Sequence, residues 1–275
     1  MIEIDWVEVP EGEFIFGLSE EQAEDLLCRL PDHIKNDSKQ YQELRERVYR
    51  EVPVRVLTLD TFYISRYPIM EEQYMAFSMS DHRYAGKNVF PEESWQFRLD
   101  SSARLIEEQG DHPVNTTWHF AMAFCDWIGA RLPTAVEWEK AARGTDGRLY
   151  PWGDEWNPDG GNFTRDRDRW PHKTSPVTAH PAGESPYGVM DLMGNAYELT
   201  LSTTFGQGGW GMTELAVMRG TCGKWDAKMD EQYNPTWYRN RVTAFMGNSK
   251  NFEGAPDPTG FRPVLDKWHK CWGGF

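Results

Sequence analysis

What constrains this chain most is an asymmetry. Two well-marked helical segments lie side by side near its middle, and the half that follows is broken every few residues by Gly, Pro, Asn or Asp. TWHFAMAFCDWI (Thr117 to Ile128) sets Phe120, Ala123, Phe124 and Trp127 at helical spacing on one face, and Gly129 ends it. In ARLPTAVEWEKAARG, Pro133 and Thr134 open a second helix with Val136, Trp138 and Ala141 or Ala142 inward, closed by Gly144. From Tyr150 onward the punctuation predicts loops on a few short strands. Helices segregated from such a region argue for an α+β fold with much irregular structure.

The N-terminal third adds strands and a charged helical stretch. WVEVPEGEFIFG (Trp6 to Gly17) alternates around Pro-Glu-Gly and predicts strand, turn, strand. Ser19 followed by Gln22 forms a capping box ahead of helix formers. A second charged helix, capped near Asp37 or Ser38, carries a thin stripe of Tyr41, Leu44, Val48 and Val52, the pattern of a solvated cover on a core. VRVLTLDTFYISRYPI (Val54 to Ile69) predicts a pair of strands or one long bent strand. Glu71 to Met79 predicts a short helix with Tyr74 and Phe77 on the face of Met70. Residues 80–111 form a long irregular connection, a kind that often carries function. No internal repeat is present.

Composition narrows the function classes. A chain of 275 residues, 39% of them hydrophobic, is long enough for one sizeable core and too apolar for disorder. Aromatics reach 14%, with 13 Trp, which supplies either core or flat binding surface. The formal net charge of −14 repels phosphate backbones, so no nucleic-acid partner is expected. Cys28, Cys125, Cys222 and Cys271 show no CxxC spacing. The acidic start and the lack of a membrane-length apolar run predict a cytoplasmic protein with free thiols.

Ordered blocks then carry a resemblance. WVEVPEGEFIFG, LDTFYISRYPIMEEQYMAF, HPVNTTWHFAMAFCDWIGARLPTAVEWEKAARG, YPWGDEW with GGNF, SPVTAHPAGESPYGVMDLMGNAYELT, MRG and GFRPV run in sequence from residue 6 to residue 264. Together they resemble the formylglycine-generating-enzyme, or sulfatase-modifying-factor, family. The resemblance implies one domain over 1–275 with a C-type-lectin-like fold: two main helices, small twisted antiparallel sheets and abundant loops. The helical segment at about 19–52 is longer than the family's usual connection there, and reads as an insertion.

Oxidase members bind copper(I) with two cysteines, because soft thiolates select that ion. Their pair follows an Arg-Gly-Gly-Ser motif that here reads Arg219-Gly220-Thr221-Cys222. Counting forward to the two cysteine positions lands on Trp225 and Asp230, neither of which can act as a thiolate. Cys222 is a candidate reactive thiol beside Arg219 and Lys224, set against its reading as a small buried residue. Relatives that join sulfur to histidine derivatives use iron held by an extra helical domain. The histidines here, His33, His82, His112, His119, His172, His180 and His269, are scattered, so neither copper nor iron is expected. Asp5, Asp60 and Asp191 read as single acids within structural blocks. The resemblance does imply calcium, with Asn162 and Asp166 or Asp168 in one loop, and Asn195 and Glu198 in the block GNAYE.

Between Arg219 and Gly260 stand Trp225, Asp226, Asp230, Tyr233, Trp237, Tyr238, Arg239 and Arg241, the residue types of binding hot spots. By resemblance this 222–252 segment lies over the face where oxidases bind their substrate peptide. Three readings remain. One is a catalytically inactive module that binds a protein or peptide through that face, as in variable proteins diversified by retroelements. Another is an enzyme with altered chemistry at the same pocket. A third is an accessory subunit docking through the 19–52 helices. The residues favour the first.

Overall fold

Pro10 and Glu11 do not turn the chain into a hairpin. In the computed structural model, which describes residues 2–80, 109–163, 174–208, 211–221, 242–243, 246–249 and 258–266, they bend one long ribbon. Strands β1 (Trp6–Val9) and β2 (Gly12–Phe16) are matched by β3 (Arg55–Leu59) and β4 (Phe62–Ser65). β1 pairs antiparallel with β4, Trp6 opposite Ser65, and β2 with β3, Gly12 opposite Leu59. The bend is pinned where the Glu11 amide donates to Thr61 Oγ1 at 3.0 Å. Gly12 sits at φ +132°, a conformation only glycine holds comfortably, so the local signal marks a bend between two sheets.

Between β2 and β3 lies a helical layer: α1 (Glu20–Cys28), the short α2 (Asp32–Asn36) and α3 (Ser38–Tyr49). The expected caps form. Gln22 N donates to Ser19 Oγ and Ser19 N to Gln22 Oε1, while Asp37 accepts from the amides of Lys39 and Gln40. Each such cap contributes about 1 kcal/mol. Leu26, Leu27, Ile34, Leu44 and Val48 meet in a cluster that also takes in Leu149 and Tyr150, so the layer is packed onto the core.

After α4 (Glu71–Ser80), two helices follow, α5 (Trp118–Trp127) and α6 (Ala135–Arg143). α5 buries Ala121, Phe124 and Cys125, and leaves Phe120, Ala123 and Trp127 only partly covered. Its inward face is thus rotated from the expected one. Phe124 sets that rotation, lying 5.5 Å from Phe77 and 5.3 Å from Phe261 between ring centroids. Burial lifts the Cys125 thiol far above its ordinary pKa, which keeps it inert. α6 opens with a Thr134–Glu137 capping box and buries Trp138, Ala141 and Ala142, with Val136 half-buried.

The second half departs from its expected short strands. β5 (Tyr197–Gly208) and β6 (Gly211–Arg219) form a long antiparallel pair, irregular between Leu199 and Thr203. β7 (Met246–Ser249) flanks β6, β8 (Thr259–Phe261) runs parallel to β5, and β9 (Val264–Asp266) joins β4. The Gly and Pro residues cluster before Tyr197 and leave that strand largely uninterrupted, which is why their density misleads about strand length. The architecture is α+β with small, mainly antiparallel sheets. Among the described residues no helix is long and apolar enough to cross a membrane.

Candidate binding site and its buried frame

α6 carries four charged side chains, Glu137, Glu139, Lys140 and Arg143, all buried. Burying a charge is costly unless it is paired and hydrogen-bonded, so their partners define a framework. Lys140 Nζ donates to the carbonyls of Pro10 and Gly12 at 2.7 and 3.0 Å, tying α6 to the ribbon's bend. Glu139 Oε1 accepts from Gly17 N at 2.7 Å and from Arg143 Nη1 at 2.9 Å. Its other oxygen faces Arg219 Nη2 at 3.0 Å, an ion pair without hydrogen-bond alignment. Arg143 also donates to the carbonyls of Gly17, Arg148 and Gly147.

A second group lies on the other side of Trp138. Its indole Nε1 donates to Glu198 Oε2 at 2.7 Å, and Arg262 grips the same carboxylate at both oxygens, 2.6 Å each. Arg262 further donates to the carbonyls of Ser65, Arg66 and Met190, and is wholly buried. Strands β4, β5 and β6, helix α6 and the turns at Gly17 and Arg262 therefore meet on two carboxylates and three guanidinium groups. Periodicity cannot announce this, because nothing in the α6 spacing distinguishes a buried Glu139 from a solvated one.

The frame ends at Arg219. Its Nη1 donates to the carbonyls of Val242 and Thr243 at 3.3 and 2.9 Å, and its guanidinium lies 5.8 Å from the Phe16 ring centroid. Thr221, two residues on, accepts from Gly194 N at 3.1 Å. Both margins of the stretch 222–241 are thus fixed. The candidate contact residues Trp225, Asp226, Asp230, Tyr233, Trp237, Tyr238, Arg239 and Arg241, and Cys222, lie outside the described residues.

Gly194 belongs to a tight turn in which Asp191 and Asn195 both adopt positive φ, 56° and 63°. A Cβ on Gly194 would come within 2.8 Å of the Asn162 carbonyl oxygen, so the position admits only glycine. Of the expected calcium ligands, Asn162 and Asn195 are brought together, Asn162 Nδ2 donating to Asn195 Oδ1 at 3.3 Å. Asp166 and Asp168 lie outside the described residues. Glu198 already uses three of its roughly four acceptor positions on Trp138 and Arg262.

Asp191 is the residue that reading the sequence as single acids passed over. Its Oδ2 accepts from Asn195 Nδ2 at 2.8 Å, while Oδ1 is buried with no hydrogen-bond partner. Burial, helped by the nearby Glu198 charge, pushes its carboxyl up to about 8, against the pull of the Asn195 bond and Arg262. An orphaned carboxylate oxygen suits a hard cation, while Asn195 Oδ1 beside it already accepts from Ser175 N at 2.8 Å as well as from Asn162. Among the described residues, no three His, Cys, Asp or Glu side chains group around a metal position, so other ligands would have to be neutral oxygens. His112 has a structural setting: its Nδ1 meets Thr174 Oγ1 at 2.8 Å, and burial lowers its pKa.

With this geometry in hand, the relatives can be placed. The family model of the sulfatase-modifying factor enzyme 1-like domain matches residues 4–267. The chain belongs to that family. It is 36% identical over 182 residues to the inactive C-alpha-formylglycine-generating enzyme 2 of Mus musculus, covering 62% of this chain and 54% of that protein. With the Bos taurus protein of the same name it shares 30% identity over 256 residues, 77% of this chain and 79% of the relative. The chain thus spans about half of the first relative and most of the second. Among solved structures, Treponema denticola variable protein 1 superposes with a TM-score of 0.57 at 16% identity, over 96% of this chain and 95% of that one. That likeness is one of fold, and it agrees with the C-type-lectin-like architecture expected from the sequence.

Proposed function

We propose that this family member is a binding module without copper oxidase activity, which recognises a protein or peptide ligand through the aromatic and arginine-rich stretch 222–252. The observation that carries this reading is the pair Trp225 and Asp230, which stand where the resemblance to the oxidases puts their two thiolates, and which supply none. Relatives named as inactive enzymes lie in the same family, and the fold is one that a variable protein also uses. The buried frame supports it further, because a rigid base lowers the ordering cost of the contacts set upon it.

The test is capture from source-cell lysate by the wild type and by a Trp225→Ala/Trp237→Ala double variant. The reading expects partners that the wild type retains and the variant loses; identical recoveries overturn it. Incubation with copper(I) and a cysteine-containing sulfatase-type peptide should give no formylglycine by mass spectrometry. A near-identical DNA template beside the gene, differing at adenines, would extend the reading to retroelement diversification.

We also infer that calcium is held at the 191–195 turn, with Asp191 joining Asn162 and Asn195 around it. There calcium would supply charge balance and rigidity, holding the turn against Thr221. Calorimetric titration with calcium should show binding that Asp191→Asn abolishes, and equal heats from both proteins would sink it.

A further inference from the structure

The helical layer reads most simply as a cover, yet Glu51, two residues past the end of α3, reaches Thr243 just beyond the 222–241 stretch. We propose that Glu51 is a positioning residue that latches the returning end of the 222–241 stretch, making α1–α3 part of the lobe that holds it. The inference rests on the binding role proposed above for that stretch.

The backbone at residue 51 is held first. Leu18 N donates to the Glu51 carbonyl at 2.9 Å. Gly17, at φ +83°, lies so close that a Cβ there would meet the same oxygen at 2.7 Å. Substitution at Gly17 is therefore blocked on both conformation and space. From this fixed point the Glu51 side chain reaches Thr243, whose Oγ1 donates to Glu51 Oε2 at 2.6 Å.

The returning chain is met on its other sides by the core. Val242 is fully buried and its amide donates to the Leu149 carbonyl at 2.9 Å. The Leu149 side chain itself packs within the helical layer's cluster with Leu26, Leu27 and Val48. Arg219 holds the carbonyls of residues 242 and 243, as described above. Glu51, the turn after α6 at Leu149, and β6 therefore converge on two consecutive residues. Three independent attachments at one short segment exceed what covering a core requires. They suit a segment whose position must not drift.

Hydrogen exchange on the full chain, read by mass spectrometry, tests the latch without any ligand. Thr243→Val removes the donor and Glu51→Ala the acceptor, whereas Thr243→Ser keeps the bond. Losing one such bond should speed exchange at the Val242 amide about tenfold. The serine variant should exchange like the wild type, and α5 and β5 should be unaffected in all three. No acceleration in either latch variant overturns the proposal. Equal acceleration in α5 and β5 overturns it as well, since the contact would then serve global stability. If the latch variants loosen Val242 while the Trp225/Trp237 variant keeps every partner, the latch stands and the binding reading falls.

Discussion

Glu198 and Asp191 lie seven residues apart in the chain, both are buried, and their surroundings treat them oppositely. Glu198 receives a bidentate guanidinium and an indole N–H. Asp191 receives one amide hydrogen bond and keeps an oxygen with none. The physical difference is the partner's reach. Arg262 comes from the loop between β8 and β9 straight under β5, and spends its other hydrogens on carbonyls that fix it there. A carboxylate so paired has its desolvation offset by the guanidinium and indole N–H groups, while a carboxyl met only by an amide is driven towards its neutral form. The frame is therefore built around matched ion pairs, and the turn around a carboxyl whose charge depends on what is bound or dissolved beside it.

The largest test of this contrast is Glu198→Ala. It leaves Arg262 buried without a counter-charge, and urea denaturation should show a loss of about 3–5 kcal/mol. A loss below about 1 kcal/mol would place Glu198 with Asp191 after all.

Asp191 should instead show itself through pH, in chelator-treated protein. Its folded pKa of about 8 lies above the ordinary value near 3.8, so the folded state holds the proton that the unfolded chain releases. Its contribution is present in full at low pH and is lost as pH rises through that window. Between pH 5.5 and 8 stability should fall by about 1–3 kcal/mol, since each unit crossed contributes at most about 1.4 kcal/mol. Asp191→Asn should flatten the slope, and saturating calcium should reverse it. Glu71, pushed up to about 7 by burial, adds to the slope in the same direction, so the informative quantity is the difference between wild type and Asp191→Asn.

Trp138→Phe removes one of three donors on Glu198 and keeps the aromatic ring. A cost of about 1–2 kcal/mol in the same denaturation assay is expected, and a larger one would mean that Arg262 alone cannot hold the carboxylate. The smallest effect belongs to a pair as short as the buried ones. Arg29 and Asp25 stand 2.7 Å apart with both side chains about half exposed. Water screens them, so Asp25→Ala should change stability by less than about 0.5 kcal/mol.

Local signals in the sequence were legible where the chemistry is local. Ser19 with Gln22, Asp37, and Thr134 with Glu137 announce helix starts because cap and amide lie within one turn. The ordered blocks announce the family for a different reason, since they record many positions at once. What stayed hidden was long-range. Whether Pro10-Glu11 makes a hairpin or a bend depends on strands 3 and 4, some fifty residues away. The charged residues of α6 look like a solvated face until Gly17, Arg219 and Pro10 are seen around them. Phe120 and Ala123 fit a helical stripe, but the ring packing of Phe77 and Phe261 chooses Ala121 and Cys125 instead. Asp191 was visible as a letter and not as an orphaned oxygen, because the missing partner is a property of the whole turn.

The attachments at either margin of 222–241 have one more consequence. Arg219 grips main-chain carbonyls, Val242 offers its amide, and Thr221 meets the Gly194 amide, so among the described residues the holding points lie at the two margins and are mostly main-chain groups. Closing such a span depends only weakly on its length, the cost growing with the logarithm of residue number. A scaffold held in this way is expected to work as a socket: inserts between its margins should tolerate rewriting, lengthening or shortening while the mount that receives them is left as it is.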